Sequence, residues 1–501
     1  GLLVGSVDDI QRLHIQTHKI DGDPRRISYH SSGGIYAVCT EKTTRDGYNE
    51  VTLGQVLFLL EGSFDPVHAF ELDHLEQAIS CISCVLDSRS RALQAKGTSG
   101  NNEMDASEYM REYVVVGTAY LTSQECEAGR LLVFSVVSSA ENTAPVVSLV
   151  AQTDCNGAVY SICGLSSGVI AAGIDYTVKI FRLENAIENT IAAEKSADVS
   201  GSAGGFYSLI YECGYASNIL VLYLKAYGDM VLNGDMMRSL TLMQYCPKEL
   251  KQGEVSNGVG AVTAYELKEV SRDMNTNYMR AVEFVGGEYD DHYIGADDSG
   301  NLFSVRRRIE ATSDEERGRM FGQAEMHLGD HINVLRPGTL SSQAPETAPE
   351  DAEGGGVVRK QGMILYGTVS GAVGSIINID DMTYFFLLAV QKAVLSCVPS
   401  MGGLPHDKWR SFKNERRTCS LRNFIDGDVV ESILEGDYDR KLLEDITHYV
   451  NHELNKPASG AASTANSNTS ALALSAKVAE ELYKYTVEEV LHKVEEMQRI
   501  H

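Results

Sequence analysis

The sequence predicts a mainly β fold, with a β-propeller followed by a small α-helical C-terminal domain. The first observation that supports this prediction is a set of regularly spaced glycines. Five times a short apolar run ends on a glycine, and a second apolar run follows within a few residues. These glycines, 56 to 72 residues apart, are Gly117, Gly173, Gly234, Gly295 and Gly367. A run that stops at a turn glycine and returns is typical of a β-hairpin. One hairpin at a long, near-constant spacing predicts a repeated unit whose copies bury their faces on each other.

The second observation is a change of hydrophobic period near Asp380. Before this residue, short β-rich runs alternate with polar turns, which predicts a propeller over residues 1–380. After it, apolar residues follow a helical spacing, which predicts a helical domain over residues 381–501. The expected helical segments after the first are Phe424 to Leu434, Leu442 to Val450, and Ala476 to Ile500.

Two of these helices carry start signals. Asp426 is the expected N-cap of the segment that ends at Leu434. Thr486 followed by Glu489 is a capping box within the last segment. Between the last two segments, Pro457 to Ser475 is a low-complexity stretch for which we expect disorder.

The composition narrows the function classes. A net charge of −26, with 69 acidic and 43 basic residues, argues against unaided DNA binding, because such binding needs cations that displace counterions. Of the ten cysteines, only Cys81 and Cys84 form a CxxC pair, and the second ligand pair of a zinc site is missing. We expect no metal and no cofactor. Apolar runs stay short of a membrane span, so no membrane role is expected. The chain opens on Gly1, and we expect it to be part of a longer protein.

The motifs of common enzymes are not found in the sequence. It holds no nucleophile elbow, Walker loop, HExxH or dinucleotide fingerprint. We therefore expect a non-catalytic protein, since propellers often serve as binding platforms. The competing interpretation, a hydrolase or isomerase that uses the central channel, predicts clustered carboxylates or histidines there.

The densest group of candidate binding residues surrounds the turn from Gly234 to Ser239. Arg238 lies just beyond the turn, close in sequence to Met236 and Met237. The strand predicted before the turn, Asn218 to Leu224, contributes Tyr223 to the group. Apolar, aromatic and arginine side chains on a loop rim are typical anchors for a docked helix. The alternative is that Arg238 pairs with Asp235 across the turn and that the strand residues form core.

The same residues resemble a known family, the large subunits of damage-specific DNA-binding protein. The likeness runs almost end to end, and it is carried by motifs that include Asn218-Ile219, Gly234-Asp235-Met236-Met237-Arg238-Ser239, Trp409-Arg410-Ser411-Phe412, Phe424-Ile425-Asp426-Gly427-Asp428 and Arg499-Ile500-His501. The resemblance implies the family's third propeller, a seven-bladed WD40-like ring that is incompletely closed in this chain, plus its helical C-terminal domain. It also implies that two preceding propellers are missing.

The resemblance further implies a function. Family members act as adaptors of a cullin–RING ubiquitin ligase, in the nucleus and also the cytoplasm, with a link to DNA damage and repair. The middle propeller holds the cullin, WD40-type substrate receptors dock through a helix, and damaged DNA is reached through a receptor. Carried over by position, the partner-binding residues are Ile219, Leu220, Leu222, Tyr223, Met236, Arg238, Arg272, Tyr278, Asn333 and Val334.

Three positions depart from the family pattern. Tyr278 stands where the family usually has Trp, Leu220 where it has Met, and His331 where it has an aromatic residue beside Asn333. The first two keep an apolar contact, so we expect an altered receptor preference and retained docking. The alternative function is an RNA-processing scaffold, because the related cleavage and splicing subunits share the architecture.

Overall fold

The computed structural model describes residues 17–46, 49–89, 109–121, 128–138, 145–185, 207–216, 218–248, 264–286, 291–339, 358–436, 438–455 and 484–499. The chain divides into two compact units. The first comprises residues 1–284, 295–298 and 306–321, and the second comprises residues 285–294, 299–305 and 322–501.

The first unit contains four sets of four antiparallel strands, each set in chain order; three are separate sheets, and the fourth, called sheet 4, is half of an eight-stranded sheet. Sheet 1 consists of β1 (Asp23–His30), β2 (Ile35–Asp46), β3 (Asn49–Leu60) and β4 (Pro66–Glu71). Sheet 2 consists of β5 (Glu76–Asp87), β6 (Met110–Tyr120), β7 (Gly129–Val137) and β8 (Val146–Cys155). Sheet 3 consists of β9 (Val159–Gly164), β10 (Ile170–Ile174), β11 (Thr177–Asn185) and β12 (Tyr207–Ala216). Sheet 4 consists of β13 (Val221–Tyr227), β14 (Met230–Asp235), β15 (Leu240–Pro247) and β16 (Tyr265–Asp273).

The remaining strands continue the pattern. Sheet 5 consists of β17 (Met279–Phe284), β18 (His292–Asp297), β19 (Asn301–Arg307) and β20 (Arg319–His327), with the short helix α1 (Asp314–Arg317) before β20. Strand β20 also pairs in parallel with β16, where Arg272 lies opposite Arg319. Sheet 6, in the second unit, consists of β21 (Ile332–Pro337), β22 (Val358–Thr368) and β23 (Val373–Ile379).

Successive sheets of the first unit pack through their first strands. Strand β5 contacts β1 and β9, and β13 contacts β9 and β17. Apolar side chains fill the space between neighbouring sheets, for example Val159 and Ile162 of sheet 3 with Val115 and Leu131 of sheet 2. Strands that repeat in this way are the blades of a β-propeller, so the predicted fold class is confirmed. Six blades lie within the described residues, and a seventh is not among them.

The repeated glycines have another role than the predicted one. Gly117, Gly173 and Gly234 lie within strands and have no left-handed φ, so the expectation that they form turns is wrong. A Cβ added at each would lie only 2.4 to 2.6 Å from a valine methyl on the first strand of the next sheet. Those valines are Val159, Val221 and Val282. Glycine is therefore needed because the next blade approaches its backbone closely.

The helices of the second unit follow sheet 6. Within the described residues, the α-helices are α2 (Asp381–Cys397), α3 (His406–Trp409), α4 (Gly427–Glu435), α5 (Arg440–Leu454) and α6 (Val487–Gln498), with the short antiparallel pair β24 (Phe412–Lys413) and β25 (Thr418–Cys419) between α3 and α4. Apolar faces of α2, α4, α5 and α6 form one core around Val390, Ile433, Ile446, Val450 and Val494. None of the helices in the described ranges has the length and apolar character needed to cross a membrane.

The two local helix signals have different outcomes. The capping box of Thr486 and Glu489 is present at the start of α6, whereas Pro457 to Ser475 and the first part of the last predicted segment lie outside the described residues. Asp426 occupies the N-cap position of α4, but its side chain does not cap the helix. The helix predicted from Phe424 therefore begins only after Asp426. The strand predicted from Asn218 likewise begins later, at Val221.

Candidate docking site

The carboxylate of Asp235 organises the loops at one edge of sheet 4. Asp235 is fully buried at the end of β14. Its Oδ2 accepts the backbone N–H groups of Ile219 (2.8 Å) and Leu220 (3.3 Å). Its Oδ1 accepts those of Met237 and Arg238, both at 3.0 Å. One side chain thus joins the segment before β13 to the turn between β14 and β15. A carboxylate that accepts several N–H groups satisfies donors that would otherwise be costly to bury.

A second buried group extends this arrangement to the next loop. Ser239, held at a left-handed φ of 58°, donates its hydroxyl to Asp273 Oδ2 at 2.6 Å. The side-chain amide of Asn277 donates to Ser239 Oγ at 3.1 Å, and the Asn277 carbonyl accepts the Ser239 N–H at 3.3 Å. Tyr278 follows directly, and its carbonyl accepts the N–H of Asp298 at 3.0 Å. Three loops are therefore fastened together by buried hydrogen bonds.

The side chains on these loops remain accessible. Ile219 is 44% exposed and Met236 is 42% exposed. Arg238 is exposed, while Leu220 and Tyr278 are half-buried. The Met236 N–H donates to the Leu220 carbonyl at 3.0 Å, so these two residues are direct neighbours. An apolar and cationic surface is thus displayed on a rigid base, in the manner of an interface anchor.

A β-bulge in the first strand places Leu222. Val221 pairs with Asp235 and Tyr223 pairs with Gly234, so Leu222 is the extra residue of β13. Bulges of this kind change the direction of a side chain, and they are frequent beside functional sites. Leu222 and Tyr223 are both half-buried. Burial raises the pKa of Tyr223, and the nearby Arg280 opposes this shift. We call the accessible group Ile219, Leu220, Leu222, Met236, Arg238 and Tyr278 the docking edge.

Arg272 is directed to a different environment. It lies near the end of β16, opposite Thr241. Its Nη2 donates to Glu269 Oε2 at 2.8 Å and to the Tyr215 hydroxyl at 2.9 Å. Tyr215 belongs to β12, so this guanidinium lies between the last strands of sheets 3 and 4. Its role in partner binding stays a prediction.

The last two candidate residues lie in the second unit. Asn333 and Val334 are near the start of β21, and Val334 is 40% exposed. Ile332 pairs with Thr368 and Val334 pairs with Gly367, so Asn333 is the extra residue of a bulge. Asn333 therefore occupies in sheet 6 the position that Leu222 occupies in sheet 4.

Sequence reasoning missed the buried groups that position this site. Asp235 was considered only as an ion-pair partner for Arg238, whereas it accepts that residue's backbone N–H. Ser239 and Asp273 were not singled out. The available signal was the Asn-Gly-Asp run with a Ser four residues after the Asp, since aspartate readily accepts N–H groups in turns. In the described part of the chain, no three His, Cys, Asp or Glu side chains are grouped in a way that could hold a metal ion.

The blade architecture and the sequence together place this chain in a family. The model for the CPSF A subunit region matches residues 55–199 and 204–435. The chain belongs to this family.

Within it, the chain is similar to proteins named DNA damage-binding protein 1. The protein of Solanum lycopersicum is 31% identical over 448 residues, which cover 89% of this chain and 35% of that relative. DNA damage-binding protein 1a of Arabidopsis thaliana is 31% identical over 452 residues, which cover 90% of this chain and 35% of that relative. The chain thus spans about a third of the length of the curated relatives that it matches.

Proposed function

We propose that this chain is a non-catalytic adaptor that docks WD40-type substrate receptors in a cullin–RING ubiquitin ligase. A helix of the receptor lies against the docking edge, and the cullin is held by a part of the longer protein. The site of action is the nucleus and also the cytoplasm. The proposed link to DNA damage and repair is supported by the similarity to proteins named DNA damage-binding protein 1, and damaged DNA is reached through the receptor.

The observation that carries this proposal is the clamp by Asp235. Two loops that bear Ile219, Met236 and Arg238 are fixed to one buried carboxylate, so their side chains need little ordering when a partner arrives. A preorganised surface binds more tightly because fewer conformations are lost on binding. Met236 suits a surface that accepts several partners, since its side chain adapts its shape.

Replacement of Arg238 tests the proposal. Arg238→Ala should weaken binding of an α-helical peptide from a WD40-type receptor at least about tenfold, since tenfold corresponds to about 1.4 kcal/mol and a central arginine anchor typically contributes about 2 kcal/mol or more. The fold should persist because the Arg238 side chain is exposed. Isothermal titration of the 501-residue chain with the peptide measures the affinity.

Arg440→Ala is the matched control. It removes the same side chain from a position in α5 that is 82% exposed, so the affinity should stay unchanged. Equal affinity of Arg238→Ala and the control would contradict the assignment of the docking edge.

A second candidate function is that of a scaffold in pre-mRNA processing. The description of the matching family model as the CPSF A subunit region favours it. Co-purification with the intact gene product distinguishes the two. Receptor subunits and a cullin support the adaptor, whereas cleavage or splicing subunits support the scaffold.

A further inference from the structure

The second unit contains a cavity that shares no residue with the docking edge. Its volume is about 500 Å³, which is within the usual range for small-molecule pockets. The lining residues are Ser299, His327, Lys408, Trp409, Ser411, Lys413, Asn414 and Glu415. All of them belong to the second unit.

Buried hydrogen bonds hold the base of this cavity. Asn301 is 1% exposed, and its Oδ1 lies 3.0 Å from His327 Nδ1. The same side chain donates to the Lys413 carbonyl at 2.9 Å. Arg410, 6% exposed, donates to the Leu328 carbonyl at 2.9 Å, and its own carbonyl accepts the His327 N–H at 3.0 Å. The lining residues are thus preorganised by groups that solvent does not reach.

Trp409 is the single tryptophan of the chain, and its residue is 39% exposed at this cavity. The indole is fixed from several sides. The Arg410 guanidinium lies 4.4 Å from the ring centroid, and the His327 ring meets it nearly at right angles with centroids 5.8 Å apart. Gly329 lies against the ring, because a Cβ there would be 2.6 Å from Trp409 Cη2. A partly exposed, immobilised indole offers a stacking surface for a planar ring.

The cavity carries cations in a strongly acidic protein. Lys408 and Lys413 are exposed, and neither ammonium has a carboxylate within 4.0 Å among the described residues. The cavity includes one carboxylate, that of Glu415. Burial, and then the charge of Arg410, lowers the pKa of His327, which favours the neutral imidazole. The two ammonium groups therefore set the local preference for an anion.

We infer that this cavity binds a nucleoside phosphate, with the base against Trp409 and the phosphates at Lys408 and Lys413. A planar ring and negative charge in one small ligand match the two features of the cavity. Ser299 and Ser411 line the same space and supply hydroxyl groups for hydrogen bonds. This inference does not depend on the docking proposal, since it concerns other residues in another unit.

Titration of the 501-residue chain with ADP tests the inference. Trp409 fluorescence reports directly on the cavity because no other tryptophan is present, and isothermal titration provides the affinity. We expect saturable quenching by ADP. Adenosine, which lacks phosphate, should bind about tenfold more weakly, as should inorganic phosphate, which lacks the ring.

The double variant Lys408→Gln/Lys413→Gln should weaken ADP binding about tenfold or more, since each ammonium contributes a charge-assisted contact. Lys441→Gln, an exposed lysine of α5 outside the cavity, is the matched control and should bind as the parent does. Circular dichroism checks that all variants fold. The inference is overturned if ADP gives no saturable signal up to about 5 mM, a range that covers very weak ligands. It is also overturned if the double variant binds ADP as tightly as the control.

Discussion

Two buried aspartates, one in each unit, are satisfied in opposite ways. Asp235 accepts four backbone N–H groups from two loops. Asp426 is 4% exposed, and its Oδ2 accepts from the Arg410 guanidinium at 2.6 Å and lies 2.8 Å from His406 Nε2. The first carboxylate fixes backbone conformation, and the second joins side chains from separate elements.

The difference shows what each arrangement is suited to do. Backbone donors cannot move away without moving the chain, so Asp235 determines the shape of the docking edge. The partner of Asp426 is a side chain that itself reaches the carbonyls of His327 and Leu328. Asp426 therefore connects α4 to β20, and its removal leaves a buried cation behind. The first group should control local shape, and the second should control stability.

The largest effect is expected at Asp426. Asp426→Ala should lower the free energy of unfolding by about 4 kcal/mol, because it leaves Arg410 buried without its counter-ion. Urea unfolding followed by Trp409 fluorescence measures this, since Trp409 lies against Arg410. Asp428→Ala is the control, because Asp428 is 97% exposed and 3.9 Å from the same guanidinium. Equal midpoints for the two variants would refute the assigned role.

A smaller and more local effect is expected at Asp235. Asp235→Ala leaves four N–H groups without their acceptor, which should cost about 3 kcal/mol. The amides of Ile219, Leu220, Met237 and Arg238 should exchange with deuterium faster, as mass spectrometry of loop peptides can show. Asp235→Asn is the graded control, since one oxygen remains and only part of the protection should be lost. Unchanged exchange in the alanine variant would disprove the clamp.

The smallest effect is expected at Glu112, a half-buried carboxylate of the same kind as Asp235. It accepts from the N–H of Ser32 (2.8 Å), the hydroxyl of Ser83 (2.7 Å), and both the N–H and the hydroxyl of Ser31. Burial opposes ionisation, but these donors outweigh it and lower the pKa of Glu112 from 4.5 to about 2. Its stabilising contribution is therefore complete above pH 4.5 and is lost as the pH falls through about 2.

Glu112→Gln should accordingly lower stability by about 1 kcal/mol at neutral pH, after allowance for solvent screening. The gap between parent and variant should close as the solution is acidified, and urea midpoints measured along that pH series follow it. A gap that stays constant down to the lowest pH would show that the carboxylate charge is not the cause.

Local patterns in the sequence were sufficient for the hairpins and for most helices. The apolar run that ends at Gly173 and the run that follows it form the paired strands β10 and β11, because two short β-rich runs separated by a turn pair locally. The capping box at Thr486 was equally readable, since both of its partners lie within one helical turn.

Features that depend on distant residues were not readable in this way. The turn predicted at Gly173 was wrong. The residue that requires a glycine there is Val221, which lies 48 residues away on the next blade, so the local sequence could not show the requirement. Asp426 was expected to cap a helix, but Arg410 binds its carboxylate instead. The candidate residues of the docking edge came from a family resemblance, while the buried Asp235 that joins their loops became visible only in three dimensions.

The bulges give this fold a way to diversify. In sheets 2, 3, 4 and 6 the first strand contains one extra residue opposite a repeat glycine, and these residues are Ile79, Tyr160, Leu222 and Asn333. The inserted residue has no pairing partner on the neighbouring strand. Strand pairing therefore constrains its side chain less than it constrains the side chains on either side. The four blades therefore carry four different side chains at this place, while the pairing on either side of the bulge is the same in each blade.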